Sequence, residues 1–289
     1  MPLCFFSTDL HGSTTRFEKL FDSLRSERPA AAFLGGDLFS RDVCRGADAA
    51  EFVHEFVVPR LRQLRDLLGK EFPAIFVILG NDDPRCAEPL FDSAVSQDLL
   101  TYVHGRRVPC NKERLGCEYQ VYGYGCVPPT PFLMKDWERY DVSRYVPPAC
   151  VSPEEGRRTV PVEPHETKWG TIKEDLAALT GDDDLSHAIF LFHAPPADTM
   201  LDMGAVDGQM YDHVPLCPHI GSIAVSRFIE QRQPLLTLHG HIHESTRLTG
   251  EWKIQIGRTV SINGAHDGPE LALVRFDPAA PQLATRQLL

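Results

Sequence analysis

The stretch LCFFSTDLHG, residues 3–12, joins a short apolar run to two polar side chains, Asp9 and His11. The run Leu3–Ser7 is bounded by polar residues and glycine, which is typical of a buried strand. Residues two apart in an extended chain share a face, so the Asp9 carboxylate and the His11 imidazole are expected to point the same way. The stretch therefore predicts a strand that ends in two metal-ligand side chains.

The same arrangement recurs four times along the chain. The further predicted strands are Ala31–Leu34, Ala74–Leu79, Ala188–Phe192 and Pro234–Leu238. The motifs that follow them are Gly36-Asp37, Gly80-Asn81-Asp82-Asp83, Phe192-His193-Ala194 and Gly240-His241-Ile242-His243. Open α/β sheets bind ligands at the carboxyl ends of their strands, so we expect these groups to meet. The candidate metal ligands are Asp9, His11, Asp37, Asn81, His193, His241 and His243.

The chemistry of this ligand set predicts the metal. Mixed carboxylates and imidazoles suit Mn, Fe or Zn better than Mg or Ca, which prefer all-oxygen shells. We expect two divalent ions, Mn²⁺ first, with Fe or Zn as alternatives. Two ions roughly 3.5–4 Å apart can share a carboxylate and activate a bridging hydroxide for attack on phosphorus.

The rest of the chain predicts one domain, residues 1–289, with a Pro-rich, cap-like insertion at about 127–165. The predicted helices are Thr14–Glu27, 46–70 with a kink or split at Pro59, 86–98, 166–180 and 219–232. Tyr119–Tyr124 is a further predicted strand, and the early β-α-β order implies parallel strands. After His243 the pattern predicts a β-meander of five strands: Ser245–Leu248, Trp252–Ile256, Thr259–Ile262, Leu271–Phe276 and Leu283–Leu288.

The insertion and the Asn81 motif carry candidate substrate residues. Phe132, Lys135, Trp137 and Arg139 are expected to form a cap that stacks on a base or grips a phosphate. The alternative is a loop anchored by its own aromatic side chains. Arg85 follows the Asn81 motif and is expected to contact a substrate phosphate, unless it is a solvated arginine at a helix start.

Composition limits the partners. The chain has 29 basic and 40 acidic residues among 289, a formal net charge of −11. Bulk binding to nucleic acid or anionic membranes depends on Lys and Arg and is not expected. A small phosphate ester or nucleotide remains a candidate substrate, because metals supply local positive charge. The eight cysteines form no C-x-x-C pair, and no signal peptide or membrane span is predicted, which favours a reducing cytoplasm.

The five motifs, taken together and in order, resemble the calcineurin-like metallophosphoesterases, and most closely the Icc-related predicted phosphoesterases. The resemblance runs from residue 3 to about 264. It implies an α/β fold, a four-layer αββα sandwich of two central mixed sheets. It also implies that Asp9, His11, Asp37 and His243 hold one metal. Asp37, as the bridge, would join Asn81, His193 and His241 around the second.

One position departs from the family pattern. The usual motif is Gly-Asn-His-Glu or Gly-Asn-His-Asp, whose His protonates the leaving group or steadies the phosphate, and this chain has Asp82 there. The expected catalytic residues are Asp82, His193 and Arg85. The resemblance implies hydrolysis of a phosphodiester or a nucleotide-like phosphate through a metal-bridging hydroxide. Two alternatives stay open: a catalytically weak metal-binding scaffold or protein-interaction module of the same fold, and a phosphomonoesterase.

Overall fold

The structure is a computed structural model that describes residues 2–40, 46–110 and 112–289. The strands in these ranges are β1 (Cys4–Ser7), β2 (Ala31–Gly35), β3 (Ala74–Ile78), β4 (Thr101–Tyr102), β5 (Arg107–Cys110), β6 (Tyr119–Tyr124), β7 (Ala188–Phe192), β8 (Met210–Tyr211), β9 (Val214–Pro215), β10 (Leu236–His239), β11 (Lys253–Ile256), β12 (Thr259–Asn263), β13 (Ala272–Phe276) and β14 (Thr285–Leu288). The helices are α1 (Thr14–Glu27), α2 (Gly46–Glu51), α3 (Val58–Leu68), α4 (Asp92–Ser96), α5 (Lys112–Leu115), α6 (Pro164–Trp169), α7 (Ile172–Thr180), α8 (Ile223–Arg232) and α9 (Ser245–Thr249).

Two six-stranded mixed sheets form the centre of the molecule. The first has the strand order β14-β13-β1-β2-β3-β4, and the second has the order β11-β12-β10-β7-β6-β5. In the first sheet, β1 to β4 are parallel, and β13 and β14 join them antiparallel. In the second sheet, β6, β7, β10 and β12 are parallel, and the edge strands β5 and β11 pair antiparallel. The predicted α/β class with two mixed sheets is confirmed.

Alternation of side chains along each strand builds the layers. In β1, Phe6 packs between the two sheets with Phe33 and Ile189, since successive side chains of a strand point to opposite faces. Its neighbour Phe5 belongs to the other cluster, which contains Phe17 of α1. Helices therefore cover the outer face of each sheet, and the order of layers is αββα.

Several helix predictions are confirmed with shifted boundaries. Helix α1 begins and ends at the predicted residues, and the expected change beside Pro59 is a switch from π-helix to α-helix without a break in the helical run. A π-helical segment, Phe52–Val57, precedes α3, and Pro59 lies in the first turn of α3. The helical run is continuous here, since the Val58 N–H donates to the Val53 carbonyl, while Pro59 itself has no N–H to donate.

Four of the five strands predicted after His243 are present, but the first is not, and their predicted arrangement as a β-meander is wrong. Residues Ser245–Thr249 form helix α9, which ends at Gly250 with a φ of 79°. Glycine adopts this left-handed conformation without a Cβ clash, so the residue closes the helix. The remaining strands divide between the sheets: β11 pairs with β12 in the second, and β13 pairs with β14 in the first. Local periodicity indicates strands but carries no information about which sheet each one joins.

The Pro-rich segment 127–165 contains no strand, and its single helix, α6, begins at Pro164. Within the segment, an isolated β-bridge joins Met134 to Arg157. A second bridge joins Tyr140 to Thr171, the residue before α7. Asp141 accepts hydrogen bonds from the N–H groups of Ile223 and Ala224 at the start of α8. The description of this segment as an insertion into one domain stays a prediction.

No helix within the described ranges is both long and apolar enough to span a membrane. The seven cysteines in those ranges are free thiols, and the eighth, Cys44, lies outside them. The cytoplasmic location stays a prediction.

Candidate metal centre

The loop after β1 holds its two candidate ligands in an unusual backbone conformation. Asp9 has a φ of 56° and His11 a φ of 46°, a left-handed region that residues with a Cβ rarely adopt. The Asp9 N–H donates to the Gly36 carbonyl, and the His11 N–H donates to the Asp37 carbonyl, both at 2.9 Å. Asp37 (φ 51°) and His241 (φ 71°) share the conformation. Such strain persists only where the surroundings hold it, and it concentrates at functional sites.

A buried carboxylate, Asp83, joins the loops after β2 and β3. It is 0% exposed and accepts hydrogen bonds from the N–H groups of Leu38 (3.1 Å), Phe39 (2.8 Å) and Gly80 (2.9 Å). Burial and the nearby Asp37 raise the pKa of Asp83 to about 8, against the effect of these three donors. These three hydrogen bonds hold the loop that carries Asp37 in a fixed position relative to the loop that carries Asn81.

The first group of ligands converges at the ends of β1, β2 and β10. Asp9, His11, Asp37 and His243 each place one ligand atom so that all lie within 4.8 Å of one another. His243 Nε2 lies 2.9 Å from Asp9 Oδ1 and 3.2 Å from His11 Nε2. The exits of β1 and β10, each of which carries two candidate ligands, therefore face each other.

A second group adjoins the first through Asp37. Asp37 Oδ2 lies 3.9 Å from His11 Nε2, while its Oδ1 lies 3.3 Å from His193 Nε2. His193 Nε2 is also 3.1 Å from Asn81 Oδ1, and the rings of His193 and His241 have centroids 5.3 Å apart. The Asp37 carboxylate thus lies between the two groups, with one oxygen towards each.

Hydrogen bonds to the protein orient the ligating atoms. His193 Nδ1 is 2.8 Å from the Gly35 carbonyl oxygen, which can only accept, so Nδ1 carries the proton and Nε2 faces the site. This arrangement fixes the tautomer, as for most histidines that ligate metals. The backbone N–H of His241 donates to both oxygens of Asp9 at 3.2 Å, and that of Asp82 donates to Asp37 Oδ1 at 2.9 Å.

The electrostatics of the site are strongly perturbed. Burial alone would raise the pKa of Asp9 and of Asp37, but neighbouring imidazoles, chiefly His243 for Asp9 and His193 for Asp37, lower both. Burial lowers the pKa of His241 to about 3, so its ring is neutral. Burial would also lower the pKa of His193, but the Asp37 carboxylate raises the pKa of this ring to about 10. A divalent cation would take the place of that proton.

The donor set fits a metal. Asp9 and Asp37 are each only 1% exposed, and within the described part of the chain no Lys or Arg forms an ion pair with either carboxylate. Buried carboxylates are costly unless they are paired or bind a metal. Two imidazole nitrogens only 3.2 Å apart beside them complete a mixed O and N set. Such a set suits Mn, Fe or Zn.

Asp82 and Arg85 lie beside these ligands. Asp82 Oδ2 is 3.8 Å from His11 Nδ1, and the Asp82 side chain is 14% exposed. The Arg85 guanidinium lies over the Trp137 ring at 5.4 Å from its centroid, with Nε 3.2 Å from Glu88. A phosphate that binds Arg85 would have to compete with Glu88.

The expected cap residues take different positions. Lys135 and Trp137 are 0% and 1% exposed, and Lys135 Nζ donates to Glu138 and to the Thr130 carbonyl. Neither side chain is accessible to a ligand, which favours the alternative of a loop anchored by its own residues. Arg139 pairs with Asp175 (3.1 Å) and Glu166 (3.6 Å). Phe132 is 51% exposed.

The roles of Asp83 and of Asp202 were not predicted from the sequence. Asp83 stands inside a motif that was predicted for its Asn81, so its own role was not visible. Asp202 is fully buried and accepts a hydrogen bond from His219 Nδ1 at 2.8 Å. No local pattern marks either residue, since their donors come from several separate segments.

Asp83→Asn is expected to lower the free energy of unfolding by about 2 kcal/mol. An amide keeps one acceptor oxygen and turns an NH₂ group towards buried N–H donors, which leaves at least one of them unsatisfied. Urea unfolding in the presence of a chelator measures the loss without a metal contribution. Asp66→Asn, whose side chain is 77% exposed, is the matched control. An unchanged unfolding midpoint for Asp83→Asn would show that these contacts do not hold the loops.

Comparisons with known proteins agree with the observed fold. A family model described as calcineurin-like phosphoesterase matches residues 5–245. A comparison with curated proteins found no match. Among solved structures, TT1561 of Thermus thermophilus is 17% identical with a TM-score of 0.56, over 99% of this chain and 98% of that one.

Two other solved structures are similar. A dimetal phosphatase from Danio rerio is 12% identical with a TM-score of 0.50, over 94% of this chain and 92% of that one. Another structure is 14% identical with a TM-score of 0.60, over 100% of this chain and 99% of that one. At these identities the likeness shows a shared fold alone.

Proposed function

The chain belongs to the calcineurin-like phosphoesterases, a family of metal-dependent phosphoester hydrolases, and from this membership we propose that it hydrolyses a phosphodiester or a nucleotide-like phosphate. The observation that carries the proposal is the convergence of Asp9, His11, Asp37 and His243, with ligand atoms within 4.8 Å of one another. The resemblance to a dimetal phosphatase fold is consistent with it.

The proposed centre holds two divalent ions. Asp9, His11, Asp37 and His243 hold one ion, and the second is held by Asp37 together with three further side chains: Asn81, His193 and His241. The support for a bridge is that the two oxygens of Asp37 face different imidazoles, His11 and His193. Mn²⁺ is the proposed ion, with Fe or Zn as alternatives, because the donors mix oxygen with imidazole nitrogen.

Bound divalent ions would supply Lewis acidity, lowering the pKa of a coordinated water from 15.7 towards about 7. The chain itself provides an open face for the substrate. The side chains of His11, Asp82 and His243 are 16%, 14% and 17% exposed, whereas His193 is fully buried. A phosphate therefore approaches from the side of the exposed residues, and His193 directs its Nε2 atom into the site from the buried side. Arg85 remains the proposed contact for the phosphate oxygens.

The choice of substrate rests on Asp82. A carboxylate at the open face repels a phosphomonoester dianion more strongly than a phosphodiester monoanion. A carboxyl group with an ordinary pKa near 4 is also a poor proton donor at neutral pH. Esters or anhydrides with good leaving groups are therefore favoured over phosphomonoesters.

Hydrolysis of bis-p-nitrophenyl phosphate and p-nitrophenyl phosphate, each with Mn²⁺ or with a chelator, tests the proposal. We expect turnover only with Mn²⁺, and roughly tenfold or more faster for the diester, a difference of about 1.4 kcal/mol in barrier. Faster hydrolysis of the monoester would instead identify a phosphomonoesterase. Two bound metals per chain without turnover of either ester, or of a nucleoside diphosphate, would favour the scaffold.

A further inference from the structure

In the family pattern a histidine at the Asp82 position protonates the leaving group, so an ester with a poor leaving group would need a proton from another residue of this chain. The structure describes eight histidines outside the seven proposed ligands. Two of them are paired with a carboxylate within hydrogen-bond distance: His219 with Asp202, and His266 with Glu270. A proton donor also needs a ring nitrogen that is free to meet the substrate, which separates these two.

The His219–Asp202 pair is built rigidly. Asp202 is 0% exposed, and its two oxygens accept the backbone N–H groups of Asp198 (3.1 Å), Thr199 (3.0 Å) and Gly221 (3.1 Å) besides His219 Nδ1 (2.8 Å). Since a carboxylate can only accept, Nδ1 of His219 carries a proton and its ring orientation is fixed. The side chain is 32% exposed, and Nε2 has no hydrogen-bond partner among the described residues.

The segment that carries this pair lies against the proposed metal centre. This segment, residues 194–222, begins directly after His193. The Ser222 N–H donates to the Pro195 carbonyl at 2.9 Å, so the two ends of the segment lie side by side. At its middle, the Ala205 N–H donates to Glu244, the residue after His243, at 2.9 Å. A bridge between Met203 and His219 then places the histidine beside this stretch.

A single side chain also connects the segment to the loop after β10. The Asn263 amide donates to the carbonyls of Leu201 (3.0 Å) and Ile242 (3.2 Å). Leu201 directly precedes Asp202, and Ile242 lies between His241 and His243. The pair is thus linked on one side to His193 and on the other to the loop of His241 and His243.

We propose that His219, oriented by Asp202, donates the proton to the leaving-group oxygen of the ester, the task for which this chain lacks a histidine at Asp82. The proposal rests on the proposed function. Histidine is the side chain that most often transfers protons in general acid catalysis, and an imidazole brings no negative charge beside a phosphate as the Asp82 carboxylate does. Asp202 acts as a positioning residue.

The proton and electron balance of the step is simple. A water oxygen forms a bond to phosphorus and releases one proton to solvent, while the bond from phosphorus to the leaving oxygen breaks. The electron pair of the broken bond stays on the leaving oxygen, which takes the proton from Nε2 of His219. The ring becomes neutral, with its Nδ1 proton still directed at Asp202, and Nε2 regains a proton from solvent. A diester yields a phosphomonoester and an alcohol.

His266 does not fit this role as well. Its Nε2 lies within hydrogen-bond distance of Glu270 at 3.0 Å, and its Nδ1 lies 3.8 Å from Asp267, so a carboxylate lies beside each ring nitrogen. Glu270 has a 44% exposed side chain and is held far less rigidly than the buried Asp202.

The test compares two esters that differ in their leaving group, bis-p-nitrophenyl phosphate and diphenyl phosphate, with Mn²⁺. p-Nitrophenolate departs without an acid, whereas phenolate needs one. His219→Asn is expected to change kcat/KM for the first ester by less than about threefold and to lower that for the second by about a hundredfold, a typical contribution of general acid catalysis. His187→Asn, an exposed histidine at the opposite end of β7, is the matched control and should change neither.

The outcomes separate the two proposals. Equal losses on both esters would show that His219 is structural, and no loss on either would show that it is not used; both overturn its role only. Wild-type protein that hydrolyses neither of these esters nor a nucleoside diphosphate would overturn the proposed function, and the role of His219 with it. Asp202→Asn supplies a second measurement: a leaving-group-dependent loss of about tenfold supports its positioning role, and a uniform loss contradicts it.

Discussion

Asp37→Asn is expected to lower Mn²⁺-dependent hydrolysis of bis-p-nitrophenyl phosphate by about a thousandfold or more, since removing one residue that merely supports a metal ligand already costs about 10–100-fold. Within the described ranges, Asp37 is the single carboxylate that lies within 4.0 Å of an imidazole from each group, with 3.9 Å to His11 and 3.3 Å to His193. An amide presents one neutral oxygen in place of two that share a charge, so it cannot bridge two cations. This ester needs no proton donor, so the loss reports on the metal centre alone.

Metal content and stability should be measured on the same preparations. Wild type is expected to bind two Mn²⁺ per chain and Asp37→Asn at most one, by elemental analysis after gel filtration. Asp66→Asn, on the exposed face of α3, is the matched control and should retain full activity. Retention of a tenth or more of the wild-type rate by Asp37→Asn would contradict the proposed bridge.

Lys135→Met is expected to lower the free energy of unfolding by about 3 kcal/mol, because it leaves the buried Glu138 without its cation. Lys135 and Glu138 are 0% and 1% exposed. Burial already raises the pKa of Glu138 to about 7 against the opposing effects of Lys135 and Thr130. Loss of the ammonium group would leave Thr130 as the remaining donor to this carboxylate, through its N–H at 2.8 Å and its hydroxyl at 2.5 Å.

A second substitution tests the cause of that loss. Lys135→Met combined with Glu138→Gln removes the unpaired charge and should recover most of the lost stability in urea unfolding. Lys173→Met, on the exposed side of α7, is the control and should change stability by less than about 0.5 kcal/mol.

Folded Lys135→Met should keep the wild-type KM. A large rise in KM without destabilisation would return Lys135 to the role of a substrate-binding residue.

Much of the site could be predicted from the sequence, because each candidate ligand is recognisable from its immediate neighbours in the chain. Each ligand follows a short apolar run, and strands β1, β2, β3, β7 and β10 lie at the predicted runs within two residues at either end. The family prediction rested on the same spacing and is confirmed by the match over residues 5–245. The presence of Asp82 in place of the usual histidine was equally clear from the sequence, since it concerns one position of a recognised motif.

Other residues were assigned incorrectly or not at all, because their role depends on distant partners. Ser245–Thr249 has the composition of either a strand or a helix, and the capping glycine at Gly250 with its φ of 79° decides the outcome. Lys135 was expected to meet substrate, since a lysine beside aromatic residues suggests a binding surface. Its burial against Glu138 is set by how the whole segment 127–165 folds back.

The sequence alone determined the order of most strands and helices, the identity of the candidate metal-binding side chains and the departure at Asp82, because these follow from short-range patterns of polarity. Only the tertiary structure decided that Asp37 lies between two imidazole groups, that Asp83 holds two of the loops together, and that Asp202 fixes the ring of His219. Each of these three depends on donors and acceptors from separate segments of the chain. Their distances are set by how the two sheets pack, through the core around Phe6, Phe33 and Ile189.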